Sequence, residues 1–194
     1  MKIKTIFTTF LVCGVLSLSA DDVTDTIESA LAAYKKGEYS MAADDLGYAL
    51  ELVKQKKGEN LKDYFPQPLA GWKAETAESQ TTGAGMMGGG TMASRVYLKG
   101  ESRIQIEIVT DSPLMQSFAM MLSNPAFATS DGGKMIRIGR QKAVESYDAS
   151  LHSGDIKMMV GSRFLVTVMG ENVGEADLLD YAKAIDLEKL SAMQ

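Results

Sequence analysis

Three glycine-led turns, each between two short β-type runs, constrain the fold most. Thr91 to Lys99 and Ser102 to Thr110 flank Gly100-Glu101. A two-residue link with Gly in its first central place joins antiparallel neighbours without splaying them. In the second run Ile104, Ile106 and Ile108 alternate with Arg103, Gln105 and Glu107, so one face is buried and the other wet. Lys134 to Ile138 and Lys142 to Tyr147 surround Gly139-Arg140, and Asp155 to Val160 and Arg163 to Met169 surround Gly161-Ser162. Phe164 to Met169 is apolar on both faces apart from Thr167, as expected of a central, covered strand.

Helices are expected between and after these hairpins. Ser112 is placed to cap, and Pro113 to open, a helix from Leu114 to Leu122. Asn172 with Glu175 three residues on reads as a capping box for a helix carrying Leu178, Leu179, Ala182 and Ile185. The expected class is α+β, an antiparallel sheet with helices over one face. The order hairpin, helix, two hairpins, closing helix with Ala184-Ile-Asp-Leu187 resembles the PsbP-like fold, found in photosystem extrinsic proteins and in bacterial periplasmic proteins. The resemblance spans Gly71 to Met193 and implies an exported, non-catalytic accessory or binding module, with no catalytic residues to carry over. Lys62 to Trp72, containing Pro66 and Pro68, reads as a junction, with Trp72 anchoring the start of the sheet domain.

Upstream, Val23, Ile27, Leu31 and Tyr34 mark one face of a helix that ends at Lys35-Lys36-Gly37. A second helix is expected to turn Ala42, Leu46, Ala49, Leu50 and Val53 inward and to run out at Lys54-Gln-Lys-Lys-Gly58. The stretch Tyr34-Lys-Lys-Gly37-Glu-Tyr39-Ser-Met-Ala42, continuing to Leu46 and Ala49-Leu50-Glu-Leu52, resembles the turn and second helix of a tetratricopeptide repeat. Ala30 stands where that family favours Gly, and Lys54 where it usually has Pro. The resemblance implies that Ala42 lets the paired helices approach closely. A single repeat cannot bury its apolar face alone. The hairpin must pack on the following domain, on another copy of itself, or on a partner.

Met1-Lys-Ile-Lys4, the uncharged run Thr5 to Leu18 and the small residue Ala20 have the form of a secretory leader, cleaved after about Ala20. Cys13 follows Val12, where a lipobox needs a small residue, so lipidation is not expected. The expected organisation is residues 1–20 signal peptide, 21–60 tetratricopeptide-like hairpin, 61–72 junction and 73–194 α+β domain, in a periplasmic protein. Cleavage would remove the only cysteine together with Lys2 and Lys4, taking the net charge from −5 to −7. That acidity argues against nucleic acid as a partner. Contact with a membrane surface stays open; a spanning segment is not expected. Oligomeric state is not readable from the sequence.

Reactive chemistry finds little support. Gly83-Ala-Gly85-Met-Met-Gly88 has the spacing of a dinucleotide fingerprint, but a strand and not a helix is expected after it. His152 lies among Ser150, Ser153 and Asp155 in a turn, without a nucleophile-elbow sequence. One His and one Cys cannot build a multi-ligand zinc site. No cofactor and no metal are therefore expected, although the 13 methionines keep Cu(I) in view. The expected contact surface is instead apolar: Met86, Met87 and Met92 from the glycine-rich stretch, with Leu114, Met115, Phe118 and Met121 from the short helix. That helix is apolar nearly all round, so the Gly83–Met92 segment is expected to help cover it. These residues would receive a protein partner or, alternatively, a lipid or other apolar small ligand in a groove. The bland alternative is that loop and hairpin complete the core.

Overall fold

The computed structural model describes residues 21–82, 90–123 and 132–193. It divides into two compact units, one ending at Leu50 and the other beginning at Glu51.

The first unit is a helical hairpin. Helix α1 spans Asp21–Lys36, and helix α2, Tyr39–Leu61, contributes its first half. Gly37 links them at φ +82°, a conformation that costs glycine little, and its N–H donates to the Tyr34 carbonyl at 3.0 Å.

The second unit begins with the last turns of α2. The helix does not run out at Gly58 but continues to Leu61, which is fully buried. Gly58 is what permits this. A Cβ there would lie 3.1 Å from Thr91 Cγ2 and 3.2 Å from Ser79 Cβ, so the bare backbone beds directly on the sheet. On either side of Gly58, Lys57 pairs with Asp111 at 2.5 Å and Glu59 accepts from Ser79 Oγ at 2.7 Å.

The sheet has strands β1 Lys73–Ala74, β2 Glu78–Thr82, β3 Gly90–Lys99, β4 Ser102–Thr110, β5 Lys134–Ile138, β6 Gln141–Asp148, β7 Ser153–Val160 and β8 Phe164–Glu171. All pairings are antiparallel, in the order β1-β3-β4-β8-β7-β6-β5, with β2 also on β3. The α+β class and the three expected hairpins are all present, and β8 lies centrally between β4 and β7. Strands β1 and β2 carry no apolar alternation, and sequence patterning did not reveal them. After Gly161-Ser162 the register sets Val160 opposite Phe164, so Arg163 belongs to the turn.

Among the described residues the unit also holds three helices, α3 Leu114–Ser123, α4 Glu175–Ala184 and α5 Leu187–Ser191. Asn172 does not cap α4. It sits at φ +54° and reaches back to the Glu101 carbonyl, while Asp177 accepts from the Gly174 N–H at the true start. The main core joins Ile104, Ile106 and Ile108 to Ile156, Met158, Val166 and Val168, under Leu178, Tyr181 and Leu190. Trp72 anchors this core as expected, edge-on to Tyr181 with ring centres 5.2 Å apart. Helix α3 adds a smaller cluster, in which Phe118 and Leu122 pack on Val144, Met135, Met159 and Leu165. In each strand those four residues alternate with the core-facing ones, so α3 lies on the opposite face of the sheet.

Candidate binding surfaces

The hairpin is closed by alanine. Ala30 and Ala33 of α1 and Ala42 and Ala49 of α2 are each buried to within a few per cent, and Ser29 Oγ donates to Asp45 Oδ2 at 2.7 Å beside them. Methyl groups let helix axes approach more closely than leucines would, so larger residues beside the seam cannot insert and turn outward. This corrects the expected inward set: Leu46, Leu50 and Val53 are 48–55% exposed. Ile27, Leu31 and Tyr34, spaced four and three, form one outward stripe on α1. The Tyr34 and Tyr39 rings meet edge-on at 5.6 Å, which places the α2 stripe of Tyr39, Leu46 and Leu50 on the same side. The result is one continuous apolar face over both helices.

The α3 surface is built differently. Phe118 and Leu122 are buried, Met115 is half-buried and Met120 is 67% exposed. Gln116, Ser117 and Ala119 also face outward. The helix is therefore amphipathic, not apolar on every side: its few polar and small residues share the outer face while Phe118 and Leu122, four apart, take the inner one. Met92 lies half-buried on β3 opposite Val109. Met86 and Met87 lie outside the described residues, as do the side chains of Leu114 and Met121. Of the Gly83–Met92 segment, Gly90 to Met92 belong to β3 and the remainder lies outside the description. The structure thus gathers Met115 and Phe118 on one helix and places Met92 on β3.

Shallow grooves flank α3. One, of about 450 Å³, is lined by Ala119, Leu122 and Met159 together with Arg140 and Lys142. The other, of about 400 Å³, is lined by Asp111, Met115, Gln116, Met159 and Arg163. In the first groove apolar side chains beside two cations suit an anionic amphiphile, whereas in the second Asp111 offsets Arg163. A larger concavity of about 820 Å³ lies between the Gly139-Arg140 turn and Ile185 to Ser191, and its lining mixes Arg140 and Lys183 with Asp186 and Glu188.

Among the described residues, no three His, Cys, Asp or Glu side chains are gathered as for a metal ion. His152 sits in the β6–β7 turn, where Asp148 Oδ1 accepts from Ser150 and from the Leu151 N–H; these bonds hold its carboxyl below the usual range. The glycine-rich stretch connects the antiparallel strands β2 and β3, with Thr82 opposite Gly90, so strand follows it and not helix. Glu145 was missed by sequence reasoning. It is the charged member of the core-facing set Ala143, Glu145, Tyr147, and its signal was an acid in an inward register. Among the described residues its Oε1 lacks a hydrogen-bond partner, and burial pushes its carboxyl up, with repulsion from Glu175 adding to the effect.

Fold and surfaces together define an α+β protein with an attached helical hairpin and exposed apolar side chains on each unit. No family model, curated protein or solved structure matches the chain.

Proposed function

We propose that this chain is an exported, non-catalytic binding or scaffold protein of the periplasm that acts through protein–protein contacts. The observation that carries the reading is the hairpin face: Ile27, Leu31, Tyr34, Tyr39, Leu46 and Leu50 are all between 46% and 66% exposed. Isolated exposed apolar residues are ordinary, whereas a continuous face of this kind marks a contact site. The tetratricopeptide-like turn supports it, since such hairpins stack face to face. The PsbP-like order of the second unit and the leader-like start support export. No described helix is long and apolar enough to cross a membrane.

A photo-crosslinking residue at Leu31, compared in living cells with one at the isolated exposed Leu151, tests the contact role. Adducts at Leu31 and none at Leu151 are expected; equal or absent labelling at both rejects it. Sizing of the chain from the periplasmic fraction tests export, with loss of about twenty residues expected.

The α3 grooves favour a second reading, a carrier of a lipid or other apolar ligand against Met115, Leu122 and Met159. Native mass spectrometry of the purified chain decides it: a retained amphiphile supports the carrier, and a bare mass removes it.

A further inference from the structure

Taking the hairpin face as a protein contact, we propose that its occupant is a second copy of the same hairpin, with the two α1 helices antiparallel about a two-fold axis beside Leu31. Residue spacing and charge together select this arrangement. Ile27 lies four residues before Leu31 and Tyr34 three after it, so reversal about Leu31 sets Ile27 of each copy against Tyr34 of the other. Glu28 and Lys35, three before and four after, border the stripe on its outer edge and are both exposed. Reversal sets each Glu28 against the other copy's Lys35. Among the described residues neither of them forms an ion pair.

The charge pattern extends along the whole helix. Asp21, Asp22 and Asp25 lie toward the start of α1, and Lys35 and Lys36 end it. A parallel pairing would set the acidic start of one α1 beside that of the other, and the basic ends likewise, which repels. An antiparallel pairing matches opposite charges and also opposes the helix dipoles. Such a contact is isologous, the self-complementary kind from which closed dimers are made.

The area is sufficient. Six half-exposed side chains, most of them large, cover roughly 600 Å² on one copy, hence about 1,200 Å² for the pair, the lower bound for a specific interface. A dimer in the micromolar range is therefore expected.

Light scattering on the purified full chain, across about 1 to 100 μM, is the test. A dimer is expected, and Leu31→Asp should weaken it by about 100-fold with unchanged far-ultraviolet circular dichroism, because Leu31 is 51% exposed and outside the alanine seam. Glu28→Lys alone and Lys35→Glu alone should each weaken it by about tenfold at low salt, and the double exchange should recover the starting affinity. A monomer throughout the range, a dimer indifferent to Leu31→Asp, or single losses that the double exchange does not recover would each overturn the proposal. A monomer that still forms Leu31 adducts with a different protein in cells overturns self-association and leaves the contact function standing. Loss of both removes both.

Discussion

Glu145 is a buried acid whose removal should make the protein more stable at neutral pH. Its side chain is 2% exposed, and its nearest cation, Lys134 Nζ, stands 3.7 Å away on a side chain that is 69% exposed. One oxygen, Oε1, has no hydrogen-bond partner among the described residues. An unsatisfied buried acceptor costs about 1–3 kcal/mol. A solvent-exposed cation returns less than about 1 kcal/mol, and Lys134 is shared with Glu175 at 3.9 Å. The net penalty is about 1 kcal/mol once the carboxylate is charged. Burial raises the carboxyl's folded pKa above its ordinary 4.5. Below 4.5 the group is neutral in both folded and unfolded chains and costs nothing extra; as pH rises from there through the folded value, stability is lost. Glu145→Gln removes the charge at nearly constant shape. Thermal unfolding followed by circular dichroism from about pH 4 to about pH 7 should therefore show the stability difference moving toward the variant by about 1 kcal/mol, or about 2–4 °C in melting temperature. A difference that moves the opposite way would mean that Lys134 outweighs desolvation, and the reasoning would be wrong.

Other outcomes follow from close approaches and seams. At Gly154 a Cβ would run into the Ser146 carbonyl and come within 2.8 Å of Tyr147 Cα, so Gly154→Ala should cost about 3 kcal/mol or more in denaturant unfolding. Ala33→Leu should force α1 and α2 apart and cost about 1–3 kcal/mol, seen as faster amide exchange across Ala30 to Ala49. Phe118→Ala should cost about 3 kcal/mol by emptying the cluster under α3 while leaving exchange protection in the Ile104–Ile108 core intact. A stability loss that also exposes that core would show the two clusters to be one.

Local chemistry made most of the sheet legible. Gly100, Gly139 and Gly161 all adopt positive φ near +60°, and each lies where the strand alternation breaks. Phe164 to Met169 has too few polar residues to be an edge, and it lies in the middle. Helix caps were less legible: Asn172, which looked like a cap, serves the β3–β4 turn through Glu101, because hydrogen-bond partners far apart in sequence leave no periodic trace. The expected α3 site was half legible. Phe118, expected as a contact residue, is instead spent with Leu122 on Val144 and its neighbours, and Met115 is half-buried. Which of several apolar stripes faces inward depends on how closely the neighbouring element approaches.

The sequence by itself determined the hairpins, the α+β class and the helical pair, since turns and periodicity are properties of neighbouring residues. Only the tertiary structure decided that alanines close the helical hairpin and push Ile27, Leu31, Leu46 and Leu50 to the outside. It alone also placed a buried carboxylate, Glu145, within the sheet, and bedded Gly58 on Ser79 and Thr91. The physical reason is the same in each case. Burial is set by the distance between backbones that are remote along the chain, and a distance of that kind is not written in any one segment.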